Sequence, residues 1–333
     1  MIKRLVTILM FAISSVLLIS CTNKTMDDFE RPKDLDIKDF FIVKNGKQEF
    51  KIIPFYSHIL EYVESASKVG NIERLEDYYY QSVIEPFQLD TLGKGEGYWL
   101  KDSWAFATPK NIKTLEEFVY SLINNQDKIN QKIEQALIKS SNSLSGENKT
   151  VYLFPPNPDN MFGIDQLGGV AGLTISKDII LIQIDPISYN DNKILEYTVA
   201  HEYHHSIYME SGEVGTYNTL LDSMILEGKA DTFAKSLYPN INIPWIEPLS
   251  AQKEKEVWDD LEKNLMSIDQ AIIDDYHNGN SIKGIPTWSK NKIGYQIMNS
   301  FLENNPTTSI HDWTKLSGEE ILLNSKYSDK ISK

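Results

Sequence analysis

Between Phe50 and Lys139 apolar residues recur at intervals of three and four, most plainly over Ile59–Ala66 and Leu115–Ile123. That spacing predicts amphipathic helices. Thr114 followed by Glu117 is a capping-box pattern at the start of the second of them. Ser140 to Lys149, rich in Ser, Asn and Gly, is expected to be a loop. There the period changes. Thr150–Phe154 and Ile179–Ile184 are short β-rich runs with turn residues Pro155 to Asn160 between them, and they predict strands of a small sheet. The Gly-rich stretch Gly168–Gly172 is either a plain hairpin turn or a place where a ligand comes close to the backbone. Helical spacing then returns. Lys193 to Val199 reads as a helix start, and Thr219 to Ala234 as a second helix with Leu220, Met224, Leu226, Ala230, Phe233 and Ala234 apolar. Beyond Ala234 the chain is helical and aromatic, and Trp245, Trp258, Tyr276, His277, Trp288 and Tyr295 either wall a cleft or belong to the core, with core expected for most.

The first twenty residues do not belong to this pattern. Lys3 and Arg4 precede an apolar run from Leu5 to Leu18, too short for a comfortable membrane span. The run ends in Leu18-Ile19-Ser20-Cys21, which resembles a bacterial lipobox, and Cys21 is the only cysteine among 333 residues. The resemblance implies a lipoprotein anchored through Cys21, where diacylglycerol supplies the two chains that stable anchoring requires. Residues 1–20 are then a signal peptide, and the polar stretch after Cys21, up to residue 45, a flexible linker. With one cysteine, disulfides, thiolate catalysis and Cys-ligated zinc are excluded.

The formal net charge of −14 becomes −16 once Lys3 and Arg4 leave with the signal. Such a balance argues against nucleic acid and against an anionic membrane surface as partners of the protein surface itself. Cationic or neutral peptides remain compatible with it.

Of the six histidines, three fall within five residues, in Val199-Ala-His201-Glu202-Tyr-His204-His205-Ser-Ile207. On a helix, positions i and i+4 share a face, so His201 and His205 can offer two imidazoles to one metal ion. Glu202 is placed to reach a metal-bound water as general base. The uncharged flanks suit a buried helix. Glu227, on an apolar helix face, is the candidate third ligand, because a carboxylate there is costly unless paired or metal-bound. Asp231, one turn further, is placed to accept the free ring N–H of His201. His204 lies about 100° round the helix from His205 and is expected to pack or to face a substrate. One of Tyr276, His277 and Tyr295 is expected to stabilise an oxyanion, with Tyr295 favoured.

His-Glu-Tyr-His-His with Leu226-Glu-Gly-Lys-Ala-Asp231 resembles the gluzincin pattern of H-E-x-x-H with a downstream E-x-x-x-D. More narrowly it is similar to a bacterial family of predicted zinc-dependent proteases, domain of unknown function 2268. Gly168–Thr174 running into Ile179–Asp185, Trp288–Tyr295 and Ile321–Ser325 fit that family, so the resemblance spans roughly Glu134 to Ser325. It implies His201, His205 and Glu227 as ligands of one Zn2+ per chain, with Glu202 as base.

The expectation is therefore an α+β fold: a zincin-like catalytic domain over 146–328 behind a mainly helical region, 46–145, packed on it or separate. It is expected to be an extracytoplasmic zinc metallopeptidase acting on peptides or proteins, lipid-anchored to the bacterial cell membrane. The alternative is an inactive zincin-like surface lipoprotein that binds a peptide or protein partner.

Overall fold

A computed structural model describes residues 36–68, 74–188, 193–212 and 219–331. The expected signal peptide and Cys21 lie outside the described residues. A five-stranded sheet in the order β1-β2-β3-β5-β4 organises the mixed α+β fold. Its strands are β1 (Phe41–Asn45), β2 (Gln48–Pro54), β3 (Lys149–Phe154), β4 (Val170–Ser176) and β5 (Ile179–Ile184). β1 and β2 form a hairpin with Asn45 opposite Gln48. Gly46 takes the turn with φ 61°, a conformation cheap only for glycine. β2, β3 and β5 run parallel, while β4 returns antiparallel along β5 and forms an edge of the sheet. Every residue of β5 is buried, which explains its unbroken apolar run.

Helices cover both faces. On one, Tyr152 and Phe154 of β3 meet Phe55, Phe87 and Phe106, with ring centroids 4.9–5.9 Å apart. On the other, Phe50 of β2 packs edge-on against Tyr203 at 6.2 Å. Tyr203 belongs to the first site helix, Ile194–Glu210. The second site helix, Leu220–Leu237, opens with a capping box between Thr219 and Asp222, and the third covers Ser289–Asn304. No helix among the described residues is long and apolar enough to cross a membrane.

Three local expectations are corrected. Phe41–Asn45, assigned to the linker, is β1: its five residues bury Val43 and pair with β2, a tertiary gain a short mixed segment does not advertise. The helix before β3 runs from Gln126 to Ser143 rather than ending in a loop at Ser140. Ser141 is accommodated there because its hydroxyl donates to the Leu137 carbonyl at 2.7 Å, a bond internal to the helix. The helix over Leu115 starts at Ile112, and its cap is the Asn111 side chain, which accepts from the Thr114 N–H at 3.3 Å. Thr114 sits buried within the first turn instead of capping it. Residues 46–145 share one sheet and one core with residues 146–328, since β2 pairs with β3.

The second and third site helices touch through backbone. A Cβ on Gly228 would fall 2.5 Å from the carbonyl carbon of Gly294, a separation no side chain fits. Gly228→Ala is expected to prise the helices apart and cost about 1–3 kcal/mol, read as a lower urea midpoint. An unchanged midpoint would mean that the two backbones do not meet here.

Candidate metal centre

Every residue of the first site helix from Ile194 to Ile207 is buried. Its ionisable side chains therefore need partners inside the protein. His201 and His205, one turn apart, bring their Nε2 atoms to 2.9 Å. Two N–H groups cannot face each other at that distance, so the pair must share a proton or a cation. Two imidazole nitrogens bound tetrahedrally to one zinc would lie about 3.3 Å apart, close to what the helix already enforces.

The outer nitrogen of His201 is held from the second site helix. Nδ1 lies 3.1 Å from Asp231 Oδ1, so the carboxylate accepts the Nδ1–H and Nε2 is the nitrogen turned toward His205. The same oxygen accepts from Tyr197 Oη at 2.8 Å and Trp245 Nε1 at 3.1 Å. Asp231 is fully buried, and three donors fix it. His205 Nδ1, by contrast, is buried and has no partner among the described residues.

Two carboxylates flank the histidines. Glu202 is buried, and its Oε2 accepts from Thr174 Oγ1 of β4 at 2.7 Å. It fits only because Gly172 faces it: a Cβ there would lie 2.6 Å from Oε1 and 2.7 Å from Cδ. Glu227 enters from the second site helix with Oε2 at 3.6 Å from His201 Nε2. That oxygen also accepts from Asn291 Nδ2 of the third site helix at 3.0 Å. His201, Glu202 and His205 can place ligand atoms within 4.8 Å of one another. Glu202 is nonetheless tied back to β4, whereas Glu227 lies against the His201 Nε2 that faces His205.

The electrostatics follow from burial and these contacts. Burial raises the Glu202 carboxyl above its usual range, against the pull of His201 and the Thr174 hydroxyl. Burial pushes His205 down to about 3, helped by the positive charge of His201. At His201 burial works the same way, but Asp231 and the hydrogen bond to Glu227 overcome it and hold the ring well above its usual value. Burial would raise Glu227, yet His201, then Lys290 and His205, keep it below the carboxylate range. Carboxylates thus favour positive charge at the shared nitrogen. A donor set of two imidazoles and a carboxylate around such a point fits zinc.

The other candidates make no hydrogen bond to the histidine pair among the described residues, although His277 lies close enough to Asn291 and Glu227 to feel both. His204 is fully buried, stacks on Trp313 at 5.3 Å and bonds Thr314 Oγ1 through Nε2 at 3.1 Å. Of the two expectations for it, the structure shows packing. Tyr276 donates to Asp260 at 2.7 Å. Tyr295 stands on the third site helix beside the Gly294 crossing, its hydroxyl next to Asn299, and no hydrogen bond joins it to His201, Glu202 or His205 among the described residues. Thr174, Gly172, Asn291, Tyr197 and Trp245 escaped the sequence reading as site residues. Thr174 and Asn291 lie in segments already singled out, but nothing in their spacing reveals which carboxylate each meets.

Residues 129–323 match the model of a family described as "Predicted Zn-dependent protease (DUF2268)". No curated protein and no solved structure matches the chain. Replacing Asp231 with Ala is expected to weaken zinc binding by about 10–100-fold, measured by competition with a chromophoric chelator. Parent-like affinity would show that the Asp231 contact does not govern His201.

Proposed function

The chain belongs to this family of predicted zinc-dependent proteases, and on that premise we propose a gluzincin-like zinc metallopeptidase with a zincin-like catalytic domain. The observation that carries the proposal is the convergence of His201 and His205 Nε2 at 2.9 Å with Glu202 locked beside them by Thr174. His201, His205 and Glu227 would hold the metal. When bound, zinc lowers the pKa of a coordinated water and polarises the scissile carbonyl.

The chain's own residues do the rest. Burial leaves Glu202 with a raised proton affinity, which suits a group that takes a proton from water and hands it to the leaving amine. Thr174 holds its Oε2 so that Oε1 is free to do so. Asp231 keeps the His201 tautomer fixed through the cycle, and Asn291 aims Glu227. β4, an edge strand carrying Gly172 and Thr174, offers backbone N–H and C=O groups along which an extended peptide can lie as an added strand. The substrate is accordingly a peptide or a protein segment able to extend.

The lipobox-like segment that ends at Cys21 supports a location outside the cytoplasm on a lipid anchor. An inactive binding lipoprotein is disfavoured by the care with which Glu202 is seated, since a scaffold needs no positioned base.

Glu202→Gln is expected to retain about one zinc per chain while lowering peptide hydrolysis by about 10²–10⁴-fold. A fully active Gln variant would sink the mechanism. Glu227→Ala is expected to lose most of its zinc by elemental analysis; full zinc content in it would remove Glu227 from the ligand set.

A further inference from the structure

Two lysines near this centre are buried among the described residues: Lys229 donates to the Thr314 and Leu316 carbonyls, whereas no step above uses Lys290. It is 9 % exposed, and its ammonium donates to Ser223 Oγ at 2.9 Å. Among the described residues it forms no ion pair. Its ammonium is withdrawn from water and sits at the second position of the third site helix, where the helix dipole is positive; the Glu227 carboxylate, which feels its charge, acts the other way. The preceding Trp288 takes a left-handed φ of 59° with no side-chain cap, a strained non-glycine backbone of the kind found at functional sites. Among the described residues its ammonium donates to a neutral hydroxyl, which leaves it able to meet an anion.

Geometry says where. Ser223 and Glu227 are four residues apart on the second site helix, hence on one face with Cβ atoms about 5–6 Å apart. Lys290, fixed on Ser223, therefore stands about one helical turn from the carboxylate proposed to hold the metal. Its charge is felt at Glu227, His205 and His277. An extended peptide advances about 3.3 Å per residue, so that offset corresponds to one or two residues from the scissile bond.

We propose that Lys290 is the specificity-determining residue of the site, and that the substrates are peptides presenting a carboxylate one or two residues from the bond cleaved. This rests on the peptidase reading above. The carboxylate has two sources, the chain terminus or an acidic side chain. The net charge of the whole protein disfavours neither, because the local unpaired cation acts at contact distance and the rest is screened beyond about 8–10 Å.

The test uses the full zinc-loaded chain and a synthetic library of N-acetylated decapeptides in two forms, with free and with amidated C-termini. Cleavage sites are read by mass spectrometry, and zinc content is measured in parallel for the parent, Lys290→Met and Lys290→Arg. The parent is expected to prefer sites with a nearby carboxylate. Cuts at a fixed distance from free termini only would identify the terminus, and enrichment of Asp or Glu in the amidated form the side chain. Lys290→Met is expected to keep its zinc and lose the preference, with KM up about tenfold or more and kcat little changed. Lys290→Arg is expected to keep the preference. Cleavage by the parent without any carboxylate preference, or an identical preference in Lys290→Met, overturns the inference and leaves the peptidase reading standing. No cleavage by a zinc-loaded parent overturns both. Should the Met variant not fold, the parent's own profile still decides.

Discussion

A helix whose ionisable side chains are buried from Ile194 through Ile207 is the constraint on which the rest of this structure depends. His201, Glu202, His204 and His205 all lie in the apolar interior, where an unpaired polar group costs several kcal/mol. The surrounding elements answer that problem one by one. Asp231 meets His201, Thr174 meets Glu202, Thr314 meets His204, and His205 is left to meet His201. The nitrogen pair that meets itself, with the Glu227 carboxylate beside it, is the pair that shares a face. Chemistry is concentrated where internal pairing runs out.

Glycine sets the distances in this arrangement. Gly172 leaves room for the Glu202 carboxylate against β4, and Gly228 and Gly294 let two helix backbones touch. The second contact decides more than stability. It brings Asn291 to Glu227 and Lys290 to Ser223, so one crossing aligns a carboxylate with the histidines and sets a cation one turn away. Side chains on separate helices keep such spacing only when the backbones beneath them are locked, because packed interiors transmit small displacements directly.

How much of the fold and the site is legible in the chain depends on which signals are local. The strands over Thr150–Phe154 and Ile179–Ile184, and the helices carrying His201 and Glu227, can be read because period and composition are properties of a few consecutive residues. Asp231 is legible as a partner of His201 because its four-residue offset from Glu227 puts both on one face. β1 is not, since a five-residue strand is stabilised by its neighbour rather than by its own pattern. Tyr295 is positioned by a distant contact as well: the Gly294 crossing sets it on the third site helix with its hydroxyl beside Asn299.

By itself, then, the sequence determined the two histidines on one helical turn, the base beside them, a second helix with two carboxylates, and the small sheet ahead of them. These are consequences of helix and strand periodicity, which needs no distant contact. Only the tertiary structure decided that Thr174 of an edge strand holds Glu202, that Asn291 aims Glu227, that His204 turns into the core, and that Lys290 meets Ser223. Each of those depends on which elements cross and how closely, and that is fixed by burial and by glycine-sized gaps between segments up to 110 residues apart in the chain, not by the spacing of neighbours.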